Sequence, residues 1–330
     1  MKLSLVIPVF NDHEGLARLL AQVGQLGIAH EVIVVDDGSD VPCQSRFPRA
    51  PVAGAQTVWL RTEAGLGAGH ARNLGQAAAS GSHVLFFDAD DALTPDICAL
   101  LHDLAGQTFD FCLFPHHDSR LLARGLSGPQ EPSDRAFWAD IAPGPLPRPL
   151  MPDEALVLCR LSNYPWNKIW RTGFLHEADV RCTEIPLHND IEPHWAAFLS
   201  AQRGMVSGRA CAIHNVVAGG AQLSNRRGAD RVRLFEALSA VSARLEREIA
   251  RDPARAAFAG PFLDFSCRLI DWAQTRLDPA DVQVLNLRAG EFITALAQRA
   301  SPALAAAIER ALTEEPGLAA RFIAVFGQGR

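Results

Sequence analysis

An apolar run ends abruptly on three carboxylates at Phe86-Phe87-Asp88-Ala89-Asp90-Asp91. Side chains two apart at a strand end point the same way, so Asp88 and Asp90 can address one site. Mg²⁺ and Mn²⁺ take oxygen ligands of this kind and leave positions open for the oxygens of a diphosphate. An isolated D-x-D is more often only a turn after a strand. A second run of the same form, Val34-Val35-Asp36-Asp37-Gly38-Ser39, makes a shared site the better explanation. Acids at the end of a second parallel strand accept hydrogen bonds from a ribose or a base. A third feature is Gly65-Leu66-Gly67-Ala68-Gly69-His70-Ala71-Arg72-Asn73-Leu74-Gly75. It reads as a tight loop entering a helix, whose N-terminal N–H groups attract anions. Arg72 there offers a guanidinium to a nucleotide. The loop does not follow the first strand as a G-x-G-x-x-G would, and a merely flexible loop is the plain alternative.

The elements that must carry these residues follow from periodicity. Leu3 to Val9 is a short, almost wholly apolar run, as in a strand covered on both faces, and Glu31 to Val35, Thr57 to Leu60, His83 to Phe87 and Phe109 to Phe114 read as four further strands. Leu16, Leu19, Leu20 and Val23 mark one helical face, and Gly69 to Ser80 is a second helix. Pro95 to Leu104 is a third, with Thr94 as cap and Pro95 at the first helical position. The alternation predicts an α/β fold with a doubly wound, mostly parallel sheet flanked by helices. Residues 115 to 150 form a long loop with one short helix near Arg135 to Ile141, and Pro143 to Pro149 suits no regular element. Asp153 to Leu161 and Pro193 to Gln202 read as helices, and Met205 to Val217 as partial strand. From Asp230 the chain reads as a helical extension broken at Asp252-Pro253, Pro261, Pro279 and Pro302. The expected division is 1–115 for the nucleotide sugar, 116–228 for the acceptor within the same catalytic domain, and 229–330 for the extension.

In order and spacing, Ile7-Pro8-Val9-Phe10-Asn11, Val34 to Ser39, Ala71-Arg72-Asn73-Leu74-Gly75 and Phe86 to Asp91 resemble the family 2 glycosyltransferases. These are inverting enzymes of the GT-A fold. The resemblance is strong over residues 1 to about 115. It continues weakly through Pro165-Trp166-Asn167-Lys168-Ile169-Trp170-Arg171, similar to a segment of bacterial members, to about residue 225. It implies that Pro8, Phe10 and Asn11 line a nucleotide pocket, that Asp36 binds the base and that Arg72 supports the nucleotide. Asp88 would approach the ribose and the metal, Mn²⁺ or Mg²⁺, and Asp90 would ligate that metal. The family's Glu-Asp pair corresponds to Asn189-Asp190, which leaves Asp190 as the catalytic base with Glu192 as substitute. His214 is a candidate third metal ligand, a hydrogen-bonded structural histidine being the alternative. His116, His117, His188 and His194 are weaker candidates. Gly219 to Arg227 resembles a loop that folds over the diphosphate, with Arg226 or Arg227 against the leaving group, or else it is a solvated loop.

Bulk properties narrow the partners. Lys plus Arg is 31 against 37 for Asp plus Glu, a net charge of −6, so no basic excess points to nucleic acid. No apolar run approaches the roughly 18 residues of a membrane span. The N-terminal apolar stretch is cut short by Pro8, Asn11 and Asp12 and reads as a buried strand, with the protein cytoplasmic. The seven cysteines form no C-x-x-C and read as reduced thiols. The partners implied are a nucleotide-sugar donor, a UDP-sugar first, and a glycan or lipid-linked acceptor in surface glycan or polysaccharide synthesis. Peripheral contact with the inner face of a membrane and a homo-oligomer both stay open. Leu318 to Phe326 is the apolar segment for such contacts, with internal packing the first expectation. The competing readings are a sugar nucleotidyltransferase, against which the stretch after the first strand has no basic residue but His13 until Arg18, and a catalytically degenerate binding or scaffold protein. A methyltransferase would have no task for Asp88-Ala89-Asp90.

Overall fold

The computed structural model describes residues 1–47, 51–63, 65–216 and 228–327. The strands are β1 (Leu3–Val9), β2 (Glu31–Asp36), β3 (Gln56–Arg61), β4 (His83–Phe86), β5 (Ala92–Leu93) and β6 (Phe111–Leu113). They continue with β7 (His116–Asp118), β8 (Arg148–Pro149), β9 (Lys168–Arg171), β10 (Gly204–Val206) and β11 (Ala212–His214). Eight of them form one sheet in the order β3-β2-β1-β4-β9-β6-β10-β8. β3, β2, β1 and β4 are parallel, whereas β9 runs antiparallel to both β4 and β6. The expected doubly wound, mostly parallel sheet is therefore present, and it continues past residue 115.

β1 is buried along its whole length, as its almost wholly apolar sequence, Ser4 excepted, requires. Register then puts the candidate residues at one edge. Val9 pairs with Asp36, Asp36 with Arg61, and Val6 with Phe86. The chain beyond each strand, at Phe10, Asp37, Thr62 and Phe87, thus emerges on the same side of the sheet. Helix α1 (His13–Leu26) follows β1, its first turn held by Asp12, which accepts from the Gly15 N–H at 2.8 Å. Helix α2 (Ala68–Ala78) lies directly on the sheet. A Cβ on Gly75 would stand 2.4 Å from Val6 Cγ1, so only glycine permits this approach.

Helices α3 (Asp96–Asp103), α4 (Ser119–Leu122), α5 (Pro132–Ile141), α6 (Pro152–Leu158), α7 (Thr172–Glu177) and α8 (Ile191–Ser200) complete the first two thirds. Thr94 does not cap α3, because its hydroxyl donates to the Ala210 carbonyl at 2.7 Å. The proline-rich stretch ends in a strand after all. Arg148–Pro149 pairs with β10 at the sheet's edge, where a missing N–H costs nothing. The small sheet β5-β11-β7 joins the turn after Asp91 to residues 116–118 and 212–214.

The extension contains α9 (Leu234–Arg251), α10 (Ala259–Gln274), α11 (Pro279–Arg299), α12 (Pro302–Glu314) and α13 (Pro316–Phe326). Pro261 does not break it, since it falls in the first turn of α10, where proline is tolerated. Leu318 and Val325 are buried and Phe322 and Phe326 pack against the main core, so one face of α13 is turned inward, while Ala320, Arg321, Ile323 and Ala324 are exposed. Asp264 on α10 gathers Arg268 at 3.1 Å, Arg321 at 2.5 Å and Arg160 at 3.9 Å, fastening the extension to the segment after α6. All seven cysteines are free, and among the described residues no helix is long and apolar enough to cross a membrane.

Candidate active site

The two acidic turns are built differently. Asp36 is buried and organises the turn that follows it. Its carboxylate accepts from the Ser39 and Cys43 N–H groups at 2.8 Å each and from Arg61 at 2.5 Å. Burial raises its pKa, but these donors together hold it below the ordinary value. Asp37 serves the glycine-rich loop, accepting from Thr62 Oγ1 at 2.9 Å, the Leu66 N–H at 3.0 Å and the Gly67 N–H at 2.7 Å. Two of the loop's N–H groups are thus spent on Asp37. Asn11 takes a left-handed backbone, φ 53°, donates its N–H to Ser39 Oγ and accepts from the Asp40 N–H, both at 2.9 Å. Pro8 is buried within β1 opposite Val35. Phe10 is 50% exposed, and the Gly65 Cβ position lies 3.8 Å from its ring. The edge therefore presents an aromatic face above a rigid pair of acidic turns, which suits a base.

Beyond β4 the turn is closed by the Asp91 N–H donating to the Asp88 carbonyl at 3.2 Å. Asp88 and Asp90 are half-buried on either side of buried Ala89, so both reach the open side of the strand end. Asp91 turns inward, where burial and then Asp90 and Asp88 drive its pKa well above the usual carboxylate range. It accepts from the Asn215 N–H at 2.8 Å, tying β11 to the turn. His214 is on β11, with Nδ1 3.5 Å from both Asp118 Oδ2 and the Tyr164 hydroxyl. Burial lowers its pKa, with Asp118 opposing. The described residues contain no group of three or more His, Cys, Asp or Glu side chains placed to hold a metal. Asp88 and Asp90 fit Mg²⁺ or Mn²⁺ in another way, since such an ion commonly rests on one or two carboxylates and the phosphates of its ligand.

Arg72 links this turn to the second half of the site. It is 5% exposed and donates to Asp88 Oδ1 at 2.6 Å and to Asn189 Oδ1 at 2.7 Å. Burial opposes its charge, but Asp88, Cys182 and Asp190 outweigh this and raise its pKa. A Cβ on Gly69 would lie 2.6 Å from the Thr183 carbonyl and 2.9 Å from Asn189 Cβ, so α2 packs closely on the stretch before α8. Asn189, at the position where a glutamate was expected, is thereby the acceptor that completes the clamp on Arg72.

Asp190 is at the start of α8, yet its side chain caps no helix N–H. Asn163 donates to its carboxylate instead. Burial raises the Asp190 pKa to about 6, with Arg72 and Lys168 opposing and Asp88 reinforcing the rise. Glu192 is occupied by Thr183 Oγ1 at 2.7 Å. Burial leaves His116 and His188 neutral, both pushed down to about 3, and His194 well below its ordinary value. His117 accepts from the Gly128 N–H at 3.0 Å. The Gly219 to Arg227 loop lies outside the described residues.

Two residues beside Asp190 had no role in the sequence reading. Asn163 carries no local signal, because its contact spans 27 positions. Lys168 did carry one, a lone lysine at the head of an apolar strand, and it is wholly buried.

Known proteins bear on this geometry. Residues 4–119 match the family model described as glycosyl transferase family 2. The chain is 34% identical over 144 residues to the uncharacterized glycosyltransferase YwdF of Bacillus subtilis (strain 168), covering 42% of this chain and 50% of that protein. It is 32% identical over 114 residues to the undecaprenyl-phosphate 4-deoxy-4-formamido-L-arabinose transferase of Sodalis glossinidius (strain morsitans), covering 33% and 35%. The chain thus spans half or less of the length of these curated relatives. The structure of S. aureus TarS residues 1–349 in complex with UDP-GlcNAc superposes with a TM-score of 0.72 at 19% identity, over 99% of this chain and 89% of that one. The fold is therefore of the GT-A type found in TarS, helical extension included.

Proposed function

The family 2 glycosyltransferase domain over residues 4–119 is the premise from which we propose that this chain is an inverting glycosyltransferase. It would move a sugar from a nucleotide diphosphate-sugar, a UDP-sugar first, to an acceptor hydroxyl in surface glycan or polysaccharide synthesis. The observation that carries this reading is the Asp88–Arg72–Asn189 bridge, with the raised Asp190 carboxylate next in the chain. It ties the acidic turn suited to a diphosphate to a carboxylate suited to taking a proton. The TarS structure with UDP-GlcNAc supports a UDP-sugar donor. The name of the Sodalis glossinidius relative, an undecaprenyl-phosphate 4-deoxy-4-formamido-L-arabinose transferase, supports a lipid-linked acceptor. A net charge of −6 gives no basic excess that would favour nucleic acid.

In this reading Phe10 and Asn11 flank the base, and Asp36 and Asp37 keep the pocket rigid. Asp88 and Asp90 would hold Mn²⁺ or Mg²⁺, which would offset the charge growing on the diphosphate as it leaves. Asp190 takes the acceptor hydroxyl's proton while that oxygen bonds to the anomeric carbon. The bond from carbon to diphosphate oxygen breaks on the opposite face, and the nucleoside diphosphate departs with the electron pair. A pKa of about 6 leaves Asp190 ionised at neutral pH yet more basic than an ordinary carboxylate. Asn189 does not weaken the assignment, because its contact is with Arg72 and Asp190 keeps its own place.

Calorimetry with UDP tests the donor site. Mn²⁺ should tighten UDP binding to the wild type by at least tenfold, and Asp90→Ala should remove that gain while leaving metal-free affinity unchanged. Equal UDP affinity with Mn²⁺ and with EDTA would refute the metal assignment. Absence of binding by UDP, GDP and their sugars alike would refute the transferase reading.

A further inference from the structure

The turn between α6 and β9, Asn163 to Lys168, has no part in the mechanism above, yet its first residue touches Asp190. Asn163 Nδ2 donates to Asp190 Oδ1. Five residues on, the Lys168 ammonium is wholly buried and donates to Asn167 Oδ1 at 2.5 Å and to the Tyr164 carbonyl at 3.3 Å. Both acceptors are neutral. A buried ammonium is unfavourable unless its charge is used or its proton is lost. β9, which Lys168 opens, lies between β4 and β6 at the centre of the sheet. A straight apolar side chain would fill that position at no electrostatic cost.

We infer that Asn163 and Lys168 are positioning residues for the base: Asn163 fixes the orientation of the Asp190 carboxylate by occupying Oδ1, and Lys168, buried on β9 and hydrogen-bonded within the same turn, adds a positive charge to the surroundings of the base. The inference rests on Asp190 being the base. With Oδ1 engaged, Oδ2 is the oxygen that receives the acceptor's proton. The charged groups acting on Asp190 come from three elements: Arg72 on α2, Asp88 beyond β4 and Lys168 on β9. Arg72 and Lys168 favour the carboxylate and Asp88 opposes it. Lys168 is acted on by Asp190, which favours its charge, whereas burial brings its pKa down to about 7. His194 on α8, near enough for Lys168 to disfavour its protonation, stays neutral. Near neutrality the base thus has a cation acting on it that can itself titrate.

The test is the pH dependence of kcat for the full-length protein, with Mn²⁺ and the UDP-sugar that the wild type hydrolyses fastest. The acid limb should lie near pH 6 in the wild type. Asn163→Ala and Lys168→Met should each move it upward by about one pH unit, with donor KM within about twofold of wild type. Lys168→Arg retains the charge and should restore the limb. An unmoved limb in both Asn163→Ala and Lys168→Met, whatever the change in Tm, would overturn the inference. Should Lys168→Met fail to fold, the half-buried Asn163 decides the matter alone. Asp190→Asn, measured alongside, separates the two ideas. If it is inactive and the limbs do not move, only the positioning inference falls. If it stays active, the base assignment falls and the inference falls with it.

Discussion

Replacing Asp134 by Asn should stabilise the protein as pH rises above about 4, with the full gain reached above about pH 6. Asp134, on α5 within the long loop, is 2% exposed and accepts from the Ser162 N–H at 3.0 Å, one residue before Asn163. Burial raises its pKa to about 6, with Ser162 and Arg268 opposing and Glu131 adding to the rise. Between its unfolded value near 3.8 and about 6 the folded state binds the extra proton, so stability falls as pH rises through that window. At about 1.4 kcal/mol for each pH unit, the full penalty is about 3 kcal/mol. Asn keeps the acceptor for Ser162 and carries no charge. At pH 4.5 the variant and the wild type should melt within about 1 °C of each other. At pH 7.5 Asp134→Asn should melt about 4 °C higher, taking the entropy of unfolding for a chain of this length. Differential scanning calorimetry at the two pH values checks this. An equal loss of stability at both would refute the reasoning, showing that the ionised carboxylate is net favourable beside Arg268.

Asp36→Ala removes three hydrogen bonds from the turn at residues 36–43; UDP and UDP-sugar affinities should fall by similar factors, which competition binding would show, and a change in turnover alone would contradict it. Gly75→Ala puts a methyl 2.4 Å from Val6 Cγ1; urea titration should show a loss of about 1–3 kcal/mol. Glu314, exposed at the end of α12, should be replaceable by Ala with donor hydrolysis unchanged. Glu246→Ala should also spare hydrolysis, but it should lower Tm, because Glu246 accepts the Ser301 N–H at 2.7 Å ahead of α12.

What could be read beforehand depended on how local each determinant was. β1, β2, β4 and α1 showed themselves because burial on both faces, or on one stripe, writes an apolar run or a helical spacing into consecutive residues; β3, half-buried at the sheet's edge, showed itself only through Val58 to Leu60. The acidic turns showed themselves for the same reason, as carboxylates directly after apolar runs. The small sheet did not, because β5 is two residues long and β7 and β11 are three each, too short for a period. Nor did the inward use of Asp36 and Asp37, since nothing in their sequence shows that Arg61 and the Leu66 and Gly67 N–H groups fold back onto them. The role of Asn189 became visible only through Arg72, 117 positions away. Asp190 is similar: it stands at the cap position of α8, and only the fold reveals that Asn163 holds the carboxylate while no helix N–H does.

The central claim is that Asp190 deprotonates the acceptor as the sugar leaves its diphosphate. The direct measurement is release of the nucleoside diphosphate from the UDP-sugar best used by the wild type, with Mn²⁺, for Asp190→Asn and Glu192→Gln side by side. Asp190→Asn should lower kcat by about 10² to 10⁴, with UDP affinity and Tm nearly unchanged, because the side chain caps no helix N–H and Asn retains an oxygen for Asn163. Glu192→Gln, which can still accept from Thr183, should keep most of its turnover. An active Asp190→Asn beside an inactive Glu192→Gln would contradict the account and move the base two residues along α8.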